Sequence, residues 1–81
     1  MSEMAGMDLG RIMATWLKYV DPHNQLVFID LEQVVRFVIY EKQACIEMSV
    51  NGVNIPIRHN HDPAAYAKLM GYLHKIDKLS L

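Results

Sequence analysis

From Cys45 to Val50 and again from Val53 to Arg58, polar and apolar residues alternate without a slip, and Asn51-Gly52 separates the two runs. Two residues that tolerate positive φ between alternating runs specify a two-residue hairpin with a type I′ turn. The register follows from the turn. Val50 faces Val53, Met48 faces Ile55 and Ile46 faces Ile57, which puts six apolar side chains on one side. Cys45, Glu47, Ser49, Asn54, Pro56 and Arg58 take the other. In that register Pro56 falls at a position whose amide would point away from the partner strand, so the second strand is expected at a sheet edge.

The same reasoning extends upstream. Val34–Tyr40 is rich in β-branched and aromatic residues and reads as a strand. A tight turn at Lys42-Gln43 brings Ile39 opposite Ile46, Phe37 opposite Met48 and Val35 opposite Val50, so Val35, Phe37 and Ile39 are expected on the core side. Asp21-Pro22-His23-Asn24 is turn material: Asp opens, Pro presets φ, and Asn tolerates the left-handed region. It joins Thr15–Val20 to Gln25–Asp30 as a second hairpin. Leu9, Ile12, Met13, Trp16, Leu17 and Val20 also fit a helical stripe with Asp8 as a possible cap; the strand reading is preferred, with Leu9–Met13 as a lead-in. Leu31-Glu32-Gln33 is expected to form one helical turn.

Asp62-Pro63 supplies a favoured N-cap followed by a favoured first helical residue. Tyr66, Leu69, Met70, Leu73 and Ile76 then form the apolar stripe of a C-terminal helix. Gly71 interrupts it, which suggests a close approach by another element. The predicted fold is therefore α+β: a four- or five-stranded antiparallel β-meander with one C-terminal α-helix packed on one face. Residues 1–12 read as a mobile arm and 13–81 as a single domain.

Two strands do not alternate cleanly. Leu26 and Phe28 lie on the opposite side from Val27 and Ile29, and Val34, Val38 and Tyr40 lie opposite the core side of their strand. An antiparallel sheet with one wet face should alternate, and one helix covers one face. Leu26, Phe28, Val34, Val38 and Tyr40 are thus the expected interface of a homodimer, unless Leu9, Ile12 and Trp16 of the same chain cover them. A contiguous apolar patch of that kind is rarely left exposed on a soluble monomer.

Composition narrows the classes. At 81 residues the chain makes one domain, able to bury roughly 60–65% of its unfolded surface. The net charge of −1 lacks the basic excess of a general nucleic-acid binder. No apolar stretch is long enough to span a membrane, and the first residues lack the pattern of a signal peptide. With a single cysteine there is no intrachain disulfide, and a cytoplasmic location is expected.

Candidate chemistry is sparse. His59 and His61 lie on the same side of an extended segment and, with Asp62, are weak candidates for metal ligation; Asp62 already serves as the helix cap. Cys45, opposite Arg58, reads as a partly exposed, inert thiol. No triad, paired carboxylates, P-loop or dinucleotide turn is present, so no enzyme activity and no cofactor are expected. Arg36, Tyr40 and Arg58 on the polar sheet face offer a second possibility, a surface for single-stranded nucleic acid through stacking and phosphate contact. The leading expectation is a non-enzymatic interaction module whose partner is a second copy of itself or another protein.

Overall fold

The computed structural model describes residues 15–79. The arm expected over 1–12 and the lead-in Leu9–Met13 lie outside the described residues. Among the described residues, strands β1 (Trp16–Val20), β2 (Leu26–Asp30), β3 (Arg36–Tyr40), β4 (Cys45–Val50) and β5 (Val53–Arg58) are followed by the helix α1 (Pro63–Leu79). All pairings are antiparallel between sequence neighbours, which is the predicted meander. The strands divide into two sheets, β1-β2 and β3-β4-β5. The division falls at the 3-10 turn Leu31–Gln33, where Asp30 accepts from the Glu32 N–H at 3.0 Å and the Leu31 side chain is buried. A buried anchor at that point breaks the run between β2 and β3.

The local chemistry forms each turn as its residues dictate. Asn51 and Gly52 both have positive φ (50° and 78°), the signature of a type I′ turn. The β4-β5 register is Val50 to Val53, Met48 to Ile55 and Ile46 to Ile57, as predicted. The β3-β4 register also matches, with Phe37 opposite Met48 and Ile39 opposite Ile46. In the first turn, Asp21 Oδ1 accepts from the N–H groups of His23 and Gln25, both at 2.9 Å, and Asn24 takes φ 63°. Between β3 and β4 the chain makes a 3-10 turn, Glu41–Gln43, and Ala44 turns left-handed at φ 49°. A residue with a Cβ gives up about 1–2 kcal/mol in that conformation. The bonds that flank Ala44, its N–H to Glu41 and its carbonyl from the His59 N–H, hold it there.

One face assignment is corrected. Val35 is 80% exposed, whereas Val34 packs against the core. The cause is a β-bulge. The Val35 N–H donates to the Ser49 carbonyl at 2.9 Å while Arg36 is the residue paired with Ser49, so two residues of one strand oppose one of the other. The extra residue shifts the alternation by one. Val34 therefore turns inward, and Val35 points to solvent.

The core gathers Leu17 and Tyr19 of β1, Leu31, Ile46 and Met48 of β4, Ile57 of β5, and Ala65 and Leu69 of α1. Full burial of a side chain such as Leu17 or Leu69 stabilises the fold by about 1.5–3 kcal/mol. The helix lies against β1 and β5. Its inner stripe is Ala65, Tyr66, Leu69, Met70, Tyr72 and Leu73. Ile76, expected in that stripe, is 40% exposed near the helix end, beyond the residues that reach the core. Gly71 is exposed as well, and a Cβ added there meets nothing within 4 Å. Among the described residues none makes the close approach expected of it.

Asp62 sets where the helix meets the sheet. Its Oδ1 accepts from the Ala65 N–H at 3.1 Å, the predicted cap, and its Oδ2 accepts from the Val20 N–H at 2.9 Å. Asp62→Ala removes both bonds. A lost cap costs about 1 kcal/mol and a hydrogen bond to a charged group about 1.5–3 kcal/mol, so urea denaturation should show a loss of about 2–4 kcal/mol. Asp62→Asn keeps a capping oxygen but turns an amide toward Val20, and should fall between wild type and Asp62→Ala. By contrast, Gly71→Ala at an open helical site should raise stability by about 0.5–1 kcal/mol in the same assay.

Candidate interaction surfaces

The outward side of the second sheet carries three cross-strand rows: Arg36, Ser49 and Asn54; Val38, Glu47 and Pro56; Tyr40, Cys45 and Arg58. The first row is closed by a hydrogen bond from Ser49 Oγ to Asn54 Oδ1 at 2.8 Å. Arg36 and Tyr40 are exposed at opposite ends of β3, four residues and about 13 Å apart. Arg58 shares the row of Tyr40. Half-buried Glu47 sits in the central row, diagonal to both arginines. The Cys45 thiol, expected to be partly exposed, is only 6% exposed. Of the predicted interface residues, Val38 and Tyr40 lie on this side, half-buried and 41% exposed. Val34 belongs to the core side because of the bulge.

Leu26 and Phe28 lie on a different surface. Across the first hairpin Trp16 pairs with Asp30, Lys18 with Phe28 and Val20 with Leu26. Leu26 is 59% and Phe28 57% exposed on that outer face, while Val27 and Ile29 pack inward. A groove of about 580 Å³ runs between Trp16, Lys18 and Phe28 of the hairpin and Lys68 of the helix. Of the five residues expected to make one patch, Leu26 and Phe28 thus lie in one sheet, Val38 and Tyr40 in the other, and Val34 in the connection between them, turned to the core. Nothing in the alternation signals the break between β2 and β3, and this separates them.

The two histidines face separate tasks. The His59 ring packs edge-on against Tyr66, with centroids 5.4 Å apart. His61 Nε2 lies 3.0 Å from the Asp21 carbonyl, to which its Nε2-protonated form donates. Both Asp62 oxygens hold backbone amides. Among the described residues no three His, Cys, Asp or Glu side chains stand together as a metal site.

The strand edges differ from one another. The outward N–H of β1 at Val20 is taken by Asp62. The edge of β5 carries Pro56, which has no N–H to offer. On β3, the hydrogen-bonded pairs with β4 are Arg36, Val38 and Tyr40, by alternation from the type I′ turn. The N–H and C=O groups of Phe37 and Ile39 therefore point outward, and among the described strands none pairs with that edge. Beside it lies a depression of about 410 Å³ lined by Ile39, Met70, Leu73, His74, Ile76 and Asp77. Sequence reasoning missed this depression, because it placed Ile39 and Ile76 inside the core; both sit near the ends of their elements, where the cover runs out.

No family model, curated protein or solved structure matches this chain. Among the described residues no helix is long and apolar enough to cross a membrane.

Two phenols beneath these surfaces make the fold sensitive to alkali. Burial, aided by the charge of Asp21, raises the Tyr19 pKa above 10.0. Burial, aided by Glu32 and then Asp30, does the same for Tyr72. The unfolded chain ionises these groups first, so the stability they confer is complete below about pH 10 and is lost as pH rises through the folded values. Urea midpoints at pH 8, 9.5 and 11 should show the decline above pH 10, and Tyr19→Phe and Tyr72→Phe should each flatten it.

Proposed function

We propose that the protein is a small non-enzymatic interaction and oligomerisation module that works as a homodimer through its sheet surfaces. The observation that carries this reading is the amount of large apolar side chain left outside so small a core. Leu26, Phe28, Val35, Ile39 and Tyr40 are between 41% and 80% exposed. Surface apolar residues are ordinary when scattered; here they line strand edges and outer faces, where a second sheet can cover them. The composition fits an association that relies on apolar contact, since the net charge is only −1.

Sedimentation equilibrium of the full chain tests the reading. A dimer at low micromolar concentration is the expected result. A wild type that stays monomeric at high micromolar concentration overturns it.

A second reading, single-stranded nucleic-acid binding, is favoured by the placement of Tyr40 and Arg58 in one cross-strand row with Arg36 on the same side. Glu47 between them opposes it. Fluorescence anisotropy with short single-stranded DNA and RNA at two salt concentrations separates the readings. Binding that weakens steeply with salt, and is lost in Arg58→Ala, supports the second one.

A further inference from the structure

We infer that the dimer forms by antiparallel pairing of β3 with β3 of a second copy, with Val38 on the twofold axis. This rests on the homodimer reading above and specifies its contact. Five observations converge on it.

The first is the state of the edges. Pro56 removes the central donor from the β5 edge, whereas the β3 edge, Arg36–Tyr40, contains neither Pro nor Gly. The second is length. The β3 edge begins at the bulge of Val35 and Arg36 on Ser49, and ends where the 3-10 turn starts at Glu41. Its midpoint is Val38, so full overlap of two such strands about a twofold axis puts Val38 opposite its own copy. The third is hydrogen bonding. In that register Phe37 of each copy pairs with Ile39 of the other, and these are the two residues whose backbone groups point outward. Each pair exchanges two N–H to C=O bonds.

The fourth is side-chain fit. Arg36 of one copy comes opposite Tyr40 of the other, twice, with the guanidinium over a phenol ring. The two Val38 side chains meet between these pairs, in the closer, non-hydrogen-bonded spacing. The fifth is the depression beside the edge. Ile39 (41% exposed) and Ile76 (40% exposed) line it, and the Phe37–Ile39 pairs would extend the partner's apolar side across it. Two other edges lack a proline: β1, whose Val20 N–H is already taken by Asp62, and β2, which does not fit itself in this way. Centred on Phe28, it would set Leu26 against Asp30, whose carboxylate already holds the Glu32 N–H.

The product would be a continuous six-stranded sheet. Pairing by strand addition draws affinity from main-chain bonds and specificity from alternate side chains. It uses Val38 and Tyr40 and leaves Leu26 and Phe28 outside the contact.

A cross-link decides the matter. Opposed residues in a non-hydrogen-bonded antiparallel pair have Cα atoms about 4.5 Å apart, within the range a disulfide spans. Val38→Cys, oxidised with copper-phenanthroline, should run as a covalent dimer on a non-reducing gel. Wild type, with only the buried Cys45, should not. Phe28→Cys serves as the comparison on β2. Ile39→Pro is the complementary variant: it removes an outward N–H without touching the β3-β4 bonds, and should sediment as a folded monomer. If wild type is dimeric but Val38→Cys fails to cross-link, or Ile39→Pro remains a dimer, the β3 contact is wrong while the homodimer reading stands. Preferential cross-linking of Phe28→Cys moves the interface to β2. A monomeric wild type removes both.

Discussion

The carboxylate of Asp62 joins parts of the chain that the hairpins alone would leave unconnected. One oxygen holds the amide of Val20, 42 residues away, and the other holds the amide of Ala65 at the start of the helix. Both bonds are made to a group that carries charge, and one lies at the positive end of the helix, where an anion is favoured. The geometry follows from chain connectivity. Val20 is the last residue of β1 and Asp62 directly precedes the helix, so tying them together lays the first turns of the helix along β1. Leu17 and Tyr19 then share one core with Ala65 and Leu69. His61, touching the Asp21 carbonyl, makes a second tie at the same corner. A two-stranded hairpin is only marginally stable alone. Here the first hairpin is held by its contact with the helix, and that contact is positioned by Asp62 together with His61.

Local rules carried the reading of the fold as far as pairs of neighbouring strands. Asn51-Gly52 established the β4-β5 register, Pro56 marked the edge, and Asp62-Pro63 marked the helix start, because each depends on backbone preferences of one or two residues. Three features escaped for a common reason: they depend on partners distant in sequence or on a count within a ladder. The bulge at Val35 is a single extra residue, and a run of Val, Arg, Phe, Val and Ile contains nothing that announces it. The second oxygen of Asp62 had no visible partner in its own segment. The break into two sheets rests on Leu31 becoming buried, and an apolar residue in a connection does not reveal whether it will find a core.

The candidate surfaces were legible to the same degree. Alternation correctly placed Leu26 and Phe28 outside, and Val27 and Ile29 inside, because β1 and β2 pair without a bulge. It misplaced Val34 and Val35 where the ladder takes an extra residue. Cys45 was assigned to the polar side by its parity and does lie there, yet it is buried; parity gives direction and says nothing about height above the sheet. Gly71 shows the complementary limit. A glycine in a helix can mark contact or mark nothing, and here no described residue stands beside it.

The proline on β5 also has a meaning for growth. In the language of polymerisation, a sheet with two reactive edges is a bifunctional monomer, and every addition leaves a fresh end for the next. A sheet with one edge capped is monofunctional, and a single coupling exhausts it. Pro56 caps one end of the three-stranded sheet by removing the donor at its centre. A strand that meets this edge finds no donor at its centre, so the same residue that costs β4 no hydrogen bond works against growth of the sheet from that side.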